Sequence, residues 1–259
     1  MAKNKFGTCC LCGEDKELSF EHSPPRAAFN NNPLLYAETE WIRNCRNIDE
    51  PRGKIRQRGA GAYTLCIRCN NDTGAWYGPA YVKLTEQGME YLQSVRSAPR
   101  FSLPFHIHPL RVMKQIVCMF VSVNGPNFQK AQPEMARFVL DRYARHLPDH
   151  VRVYGFYTVS DRSRSSGVSG RIDGVLNGSS TNCIYSETTF PPFGFVMTFH
   201  SPSPDDRLTD ITYFADKYGY DDERVLWLPF PVLPIYTYFP ADYRNREKVL
   251  KDAGQWPQS

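Results

Sequence analysis

Two Cys-x-x-Cys pairs constrain what this chain can fold into more than any other feature of its sequence. Cys9 and Cys12 form the first pair, and Cys66 and Cys69 form the second. Each pair makes a turn that presents two thiolates toward one point, and two such turns complete a tetrahedral sulfur site for a borderline-soft cation. The spacing therefore predicts a structural Zn²⁺ held by these four cysteines. In an alternative, Cys10 replaces Cys9, although a Cys-x-Cys pair holds one cation less readily.

Neither disulfides nor a redox motif explains these pairs as well as zinc does. No apolar segment precedes Cys9, so we expect no cleaved secretory signal and a cytoplasmic protein, where thiols stay reduced. No strand-to-helix redox context surrounds either pair. Cys45, Cys118 and Cys183 stand alone, and Cys118 lies in an apolar run where a cysteine is expected to be buried.

Composition indicates a folded chain but does not name a partner. The 259 residues are 41% apolar, which is enough for one large domain or two smaller ones. A net charge of +4, from 31 basic and 27 acidic residues, is too small to indicate nucleic acid by itself. The longest apolar run, residues 116–123, is far shorter than the roughly 20 residues that span a bilayer. We therefore expect no transmembrane segment.

The pattern of apolar residues predicts an α+β fold in two parts. The first part, residues 1–98, is a zinc-binding domain that becomes helical around residues 81–92. The second part, residues 99–259, is an α+β domain with a mainly antiparallel sheet. Its predicted helices begin at Pro109, at Pro133 and near Ala241 or Asp242, the last ending at Gly254. Its predicted strands cover residues 151–157, 182–190, 193–200, 225–228 and 235–238.

An acidic residue and a histidine lie between the two cysteine pairs. Glu21 and His22 are followed by Ser-Pro-Pro, and Asn70 comes directly after the second pair. This order resembles the zinc-stapled members of the HNH endonuclease superfamily over roughly residues 6–78. The resemblance implies a treble-clef-like ββα-metal core, with His22 as general base and with Glu21 and Asn70 holding a catalytic Mg²⁺ or Mn²⁺. Proteins of this type often accompany mobile elements or phage defence.

The chemistry of phosphodiester hydrolysis requires residues of these types. A water molecule must lose a proton near neutral pH, and histidine has the unperturbed pKa closest to that task. A hard cation must stabilise the charge at the scissile phosphate, and carboxylate and amide oxygens suit such a cation where thiolates do not. We therefore expect one zinc ion for folding and a separate divalent ion for chemistry, acting on DNA in preference to RNA.

The segment before the second cysteine pair departs from the family pattern. Family members usually place an asparagine there that orients the histidine, and residues 58–65 contain none. Asn44, Asn47 or a backbone carbonyl group could orient His22 instead. Two interpretations follow, a nuclease and a non-catalytic zinc-stabilised module that binds nucleic acid or serves assembly.

A basic, glycine-containing segment leads into the second cysteine pair. It carries four cations, Arg52, Lys54, Arg56 and Arg58, and no acidic residue. Glycines let the backbone approach a phosphate closely, so the segment is predicted to bind nucleic acid beside the site, the alternative being a solvated loop. A second basic stretch, residues 162–167, is predicted to be flexible. Residues 99–259 are expected to supply specificity, homo-oligomer assembly or contact with a protein partner.

Overall fold

The computed structural model describes residues 5–37, 53–94, 99–173 and 181–254, and in them helices and antiparallel sheets form an α+β fold. The helices are α1 (Ile67–Ser94), α2 (Pro109–Asn124), α3 (Pro126–Ala131), α4 (Pro133–Leu140), α5 (Tyr213–Lys217) and α6 (Arg246–Asp252). The strands are β1 (Lys5–Thr8), β2 (Asp15–His22), β3 (Leu34–Tyr36), β4 (Lys54–Arg56), β5 (Gly61–Cys66), β6 (Arg100–Ile107), β7 (Val151–Tyr157), β8 (Arg164–Asp173), β9 (Thr181–Phe190), β10 (Phe193–Phe199), β11 (Thr209–Asp210) and β12 (Arg224–Pro231).

A three-stranded antiparallel sheet in the order β1-β2-β5 carries the motif residues. The register between β2 and β5 shifts between Ser19 and Phe20, a bulge that inserts one extra residue into β5. Strand β5 ends at Cys66 and α1 begins at Ile67, so the second cysteine pair lies at a strand-to-helix junction, and the sequence-based expectation that neither pair has this context is wrong. The short hairpin β3-β4 lies outside this sheet.

Helix α2 is the most deeply buried helix among the described residues. Apolar residues at helical spacing predicted this burial, and from Pro109 to Ser122 every side chain but that of Arg111 is buried. Cys118 is 1% exposed, as expected for a small apolar side chain in this run. Tyr77 and Tyr81 of α1 are also buried, which confirms that they belong to the core.

The largest sheet among the described residues is antiparallel and has five strands in the order β11-β7-β10-β9-β8. The strands predicted over residues 151–157, 182–190 and 193–200 correspond to β7, β9 and β10. The strand predicted at residues 225–228 corresponds to β12, which pairs with β6 in a separate ribbon. The mainly antiparallel sheet predicted from the short connections is therefore present.

Two sequence predictions fail around a buried ion pair. Residues 235–238 are not a strand, and the stretch at residues 162–167 is not a flexible basic loop, because Arg164 begins β8 and its side chain is only 3% exposed. Arg164 Nη2 lies 2.7 Å from Glu187 Oε1, and Glu187 is fully buried. The same guanidinium donates to the carbonyl oxygens of Thr237, Phe239 and Asp242. Because the Arg164 side chain donates hydrogen bonds to these carbonyl groups, the segment around residues 237–242 does not need a neighbouring strand as its hydrogen-bond partner.

The C-terminal helix begins later than the sequence predicted. Ala241 has a left-handed backbone (φ 58°), which is incompatible with the start of a helix. The Asn245 side chain accepts a hydrogen bond from the Lys248 amide and caps α6, which begins at Arg246. Gly254 has φ 67° and lies just past the end of the helix, as its identity indicated.

The predicted boundary between two domains, residues 95–98, lies outside the described residues. Buried apolar side chains on both sides of it form one cluster, in which the Tyr81 and Phe195 rings lie 6.1 Å apart. The division into two domains stays a prediction. Within the described residues no helix is long and apolar enough to cross a membrane.

Removing the guanidinium of Arg164 should destabilise the fold strongly. Arg164→Met leaves the Glu187 carboxylate buried without its cation, and we expect the free energy of unfolding to fall by about 3 kcal/mol. Urea denaturation followed by circular dichroism measures this loss. Arg137→Met, at an exposed helical position, is the matched control. A loss for Arg164→Met no larger than for the control would contradict the structural role of the pair.

Candidate metal centre and histidine site

The four predicted cysteine ligands come together in the structure. Their Sγ atoms all lie within 4.8 Å of one another, and in the described residues this is the only group of three or more histidine, cysteine or acidic side chains so arranged. Cys9 and Cys12 lie in the β1-β2 turn, Cys66 ends β5, and Cys69 lies in the first turn of α1. The cluster therefore joins the two ends of the motif, as its spacing predicted.

Local backbone geometry explains how the first pair forms its turn. The Cys9 amide donates to the Glu14 carbonyl group at 2.9 Å, and the Gly13 amide donates to the Cys9 carbonyl group at 2.9 Å. Gly13 has φ 73°, a left-handed conformation that glycine adopts without steric cost. These two hydrogen bonds close the turn around Cys12. The closed turn directs the thiols of Cys9 and Cys12 toward the second pair.

The thiols of the cluster ionise unequally: the hydrogen bond with Cys9 raises the pKa of Cys69, burial raises the pKa of Cys12, and the pKa of Cys9 falls. A hydrogen bond with Cys69 and a backbone hydrogen bond from Cys66 lower the pKa of Cys9 to about 4, against the opposing effect of burial. The Cys66 amide lies 3.3 Å from the Cys9 sulfur. Four converging sulfur ligands, one of them readily ionised, match the preference of a structural zinc ion. Burial raises the pKa of the neighbouring Cys10 to about 12, and Cys10 lies outside the cluster.

Glu21 faces the interior of the protein. Its side chain is 5% exposed and accepts a hydrogen bond from Thr64 at 2.8 Å and a second from Ser122 of α2. The Cys118 thiol lies 3.8 Å from the other carboxylate oxygen. Burial raises the pKa of Glu21 to about 7, although these three donors lower it. Glu21 therefore connects the motif strand to the buried helix.

His22 lies on the opposite face of β2, beside Phe20. The Phe20 and His22 rings are 5.0 Å apart in an edge-to-face arrangement, and the imidazole is half-buried. Burial lowers the pKa of His22, a hydrogen bond to the Arg58 backbone opposes this effect, and the positive charges of Arg26 and Arg58 add to it. The imidazole is consequently neutral near pH 7, as a general base must be.

A buried asparagine holds the loop that orients His22. Asn30 is 1% exposed, and its side-chain amide donates to the Pro24 and Ala60 carbonyl groups, both at 2.7 Å. Its side-chain oxygen accepts from the Ala60 amide at 2.6 Å. A Cβ atom at Gly59 would lie 2.4 Å from the Asn30 oxygen, so only glycine fits there. Asn30 thus fixes the loop next to Arg58, whose backbone hydrogen-bonds to His22.

Sequence reasoning missed Asn30 and the partners of Glu21. The orienting group was sought in Asn44 or Asn47, which lie outside the described residues, or in a backbone carbonyl group. The Arg58 backbone lies close enough to His22 to raise its pKa, against the effect of burial. Asn30 is separated from Ala60 by 30 positions, and Glu21 from Ser122 by 101, so no local pattern marks either contact.

Asn70 lies in the first turn of α1, next to the motif strand β2. Its amide nitrogen donates to the Ser19 hydroxyl at 2.9 Å and to the Phe20 carbonyl group at 3.3 Å. Asn70 therefore attaches the helix start to β2 at the bulge. Its predicted role as a ligand of a catalytic cation stays a prediction.

The predicted basic segment divides into residues with different surroundings. Arg52 lies outside the described residues, and Lys54 is exposed on β4. Arg56 stacks 3.3 Å from the centre of the Tyr36 ring and donates to the Gly61 carbonyl group, which gives it a structural role. Arg58 is exposed and its guanidinium donates to the Tyr63 hydroxyl at 3.3 Å.

Comparisons of the chain with protein-family models, with curated proteins and with solved structures gave no match. The support for a metal site at the four-cysteine cluster is the convergence of its sulfur atoms. The resemblance to HNH endonucleases rests on the sequence motif alone.

We expect the purified protein to contain one zinc ion per chain, bound by Cys9, Cys12, Cys66 and Cys69. Cys66→Ser should abolish zinc binding and unfold the β2-β5-α1 region, because metal binding and folding are coupled in such sites. Inductively coupled plasma mass spectrometry measures the metal content. Cys183→Ser, at a cysteine outside the cluster, is the control. A zinc-free protein, or equal zinc content in both variants, would contradict the assignment.

The pKa of Glu21 predicts a pH-dependent contribution to stability. Because its folded-state value of about 7 lies above the ordinary 4.5, the folded protein holds this proton more tightly than the unfolded chain. That stabilisation is complete below the unfolded value and is lost as the pH rises through the folded value. Between about pH 6 and about pH 8 the wild type should therefore lose about 1 kcal/mol more of its free energy of unfolding than Glu21→Gln, whose side chain stays neutral.

Urea denaturation with saturating zinc at both pH values measures this difference. Glu17→Gln, at an exposed position of the same strand, should retain the wild-type pH dependence. The same slope in Glu21→Gln as in the wild type would show that the carboxyl group titrates normally.

Proposed function

We propose that this protein is a metal-dependent nuclease of the HNH type that hydrolyses phosphodiester bonds in DNA, with His22 as the general base. In this proposal β2, β5 and the start of α1 form a treble-clef-like core stapled by zinc. The surroundings of His22 are the observation that carries the proposal. The imidazole is half-buried, and the Arg58 backbone and the positive charges of Arg26 and Arg58 lie close enough to act on it.

The surroundings of His22 suit proton abstraction from water. The Arg58 backbone carbonyl group acts on the imidazole from one side, which would leave the other ring nitrogen able to accept a proton. The lowered pKa keeps the imidazole neutral near pH 7. Asn30 restrains the loop that carries this carbonyl group. Restraint of this kind reduces the reorganisation that the base would need before reaction.

Positive charge around His22 suits a phosphate substrate. Arg26 and Arg58 both act electrostatically on the imidazole, and both are exposed. Lys54 is exposed on the neighbouring hairpin. Exposed cations of this kind bind a phosphodiester backbone without sequence preference. Arg52, the fourth predicted contact, lies outside the described residues.

Mg²⁺ or Mn²⁺ is the proposed cation at the scissile phosphate, where it would stabilise charge on the transition state. Asn70 is a proposed ligand through its amide oxygen. The buried Glu21 fits this role less well, because Thr64 and Ser122 already donate to it. A hydrated cation would have to displace both donors.

The burial of Glu21 also supports a second candidate function. If this carboxyl group serves only to attach β2 to α2, the chain is a zinc-stabilised module that binds nucleic acid, or serves assembly, without cutting. Both candidates share the zinc cluster and the basic surface. They differ in whether His22 is required for bond cleavage.

A plasmid nicking assay distinguishes the two candidates. With Mg²⁺ or Mn²⁺ present, we expect His22→Ala to lower the nicking rate by about 100-fold or more, because general base catalysis contributes that much. The rate of the wild type should rise with pH through a pKa below the ordinary histidine value of 6.5. Zinc content and thermal stability should be unchanged.

His106→Ala, at an exposed histidine on β6, is the control and should nick at the wild-type rate. Absence of nicking with either metal, while wild type and His22→Ala bind DNA equally, would support the binding module instead.

A further inference from the structure

Five side chains around His22 form a continuous surface, which we call the aromatic-cation patch. They are Lys5, Phe20, His22, Arg58 and Tyr63. The Phe20 ring lies 5.0 Å from the His22 ring and 5.5 Å from the Tyr63 ring, both edge-to-face. The Lys5 ammonium lies 4.6 Å from the centre of the Tyr63 ring. The Arg58 guanidinium lies 5.7 Å from the centre of the Phe20 ring.

The patch lies on the face of the sheet that does not pack on α2. Glu21 faces Ser122 of α2, and its neighbours Phe20 and His22 point the other way because side chains alternate along a strand. The three rings are half-buried, whereas Lys5 and Arg58 are exposed. Phe20 and Tyr63 belong to neither core cluster of the described residues, and they lie between cations that reach into solvent.

The cations over the rings are replaceable. Lys5 and Arg58 lie on long side chains, and an exposed cation interacts only weakly with an aromatic ring. A phosphate would attract both cations more strongly than the rings do, which would uncover ring surface. An unpaired base could then stack on the ring while the phosphate of the same strand binds the cation.

We propose that the aromatic-cation patch binds single-stranded nucleic acid, with bases stacked on Phe20 and Tyr63 and phosphates bound by Lys5 and Arg58. This inference rests on the proposed function, since it brings the strand to His22. A duplex suits the patch less well, because paired bases are stacked on one another and expose only their edges in the grooves. Single strands expose their base faces, which is what aromatic rings recognise.

Fluorescence anisotropy with the zinc-loaded full chain tests the proposal. The probes are a labelled single-stranded DNA of about 20 nucleotides, the RNA of the same sequence, and the DNA duplex. We expect at least one of the single strands to bind about tenfold more tightly than the duplex. Phe20→Leu and Tyr63→Leu should each weaken that binding about fivefold or more, with duplex affinity unchanged.

Two further variants separate stacking from charge. Tyr63→Phe keeps the ring and loses only the hydroxyl that Arg58 contacts, so it should bind single strands as the wild type does. Arg58→Ala should weaken binding to single strand and duplex alike and reduce the salt slope by about one. Zinc content and thermal stability confirm that each variant is folded.

Crosslinking gives a readout that needs no substitution. Photocrosslinking of a 5-iodouracil-substituted oligonucleotide, followed by mass spectrometry, should map to the peptides that contain Phe20 or Tyr63. Crosslinks confined to other peptides would overturn the proposal.

The outcomes also separate this inference from the proposed function. Equal affinity for single strand and duplex, with Leu variants that bind like the wild type, would overturn the inference even if His22-dependent nicking persists. Single-strand binding that depends on Phe20 and Tyr63, without nicking, would support the inference and count against the nuclease. Absence of binding to every probe at low salt would overturn both.

Discussion

The convergence of four thiols is the contact on which the motif region depends. Residues that lie 57 positions apart, Cys9 and Cys66, are brought close enough for a backbone amide to donate to a sulfur atom. A metal ion in such a cluster replaces the apolar core that a small sheet and one helix end cannot build alone. Because Cys66 ends β5 and Cys69 lies in the first turn of α1, the cluster sets the position of the helix against the sheet. Asn70 adds hydrogen bonds to β2 at the same junction.

Strand β2 presents functional side chains on both faces of the sheet. Glu21 is directed into the protein, where Ser122 of α2 and Thr64 of β5 donate to it, and it ties the strand to that buried helix. His22, one residue later, faces outward with Phe20. The alternation of side chains along a strand separates the pair that the motif places side by side. Burial consequently shifts the two pKa values in opposite directions, upward for the carboxyl group and downward for the imidazole.

Buried polar groups organise the remainder of the chain in the same way. Arg164 and Glu187 form an ion pair inside the five-stranded sheet region, and Glu187 also accepts from the Ala241 amide. The segment before α6 is irregular, and its carbonyl groups find their partners on the Arg164 guanidinium. Burying a charged group is costly unless every hydrogen-bonding position is used, and here side chain and backbone satisfy each other.

Local patterns in the sequence predict several elements of this fold correctly. The cysteine spacing placed the ligands, helical periodicity placed α2 with Cys118 in its interior, and β-rich runs placed β7, β9, β10 and β12. Each of these signals is local, and for the cysteines it is the two-residue spacing within each pair, although the two pairs lie 57 positions apart. Other contacts across long separations follow from the tertiary packing. It paired Asn30 with Ala60, and it turned Arg164 from an apparent loop cation into a buried one. A hydrogen bond or ion pair between distant positions leaves no periodic trace in a single sequence, because its partners are chosen by the packing of whole elements.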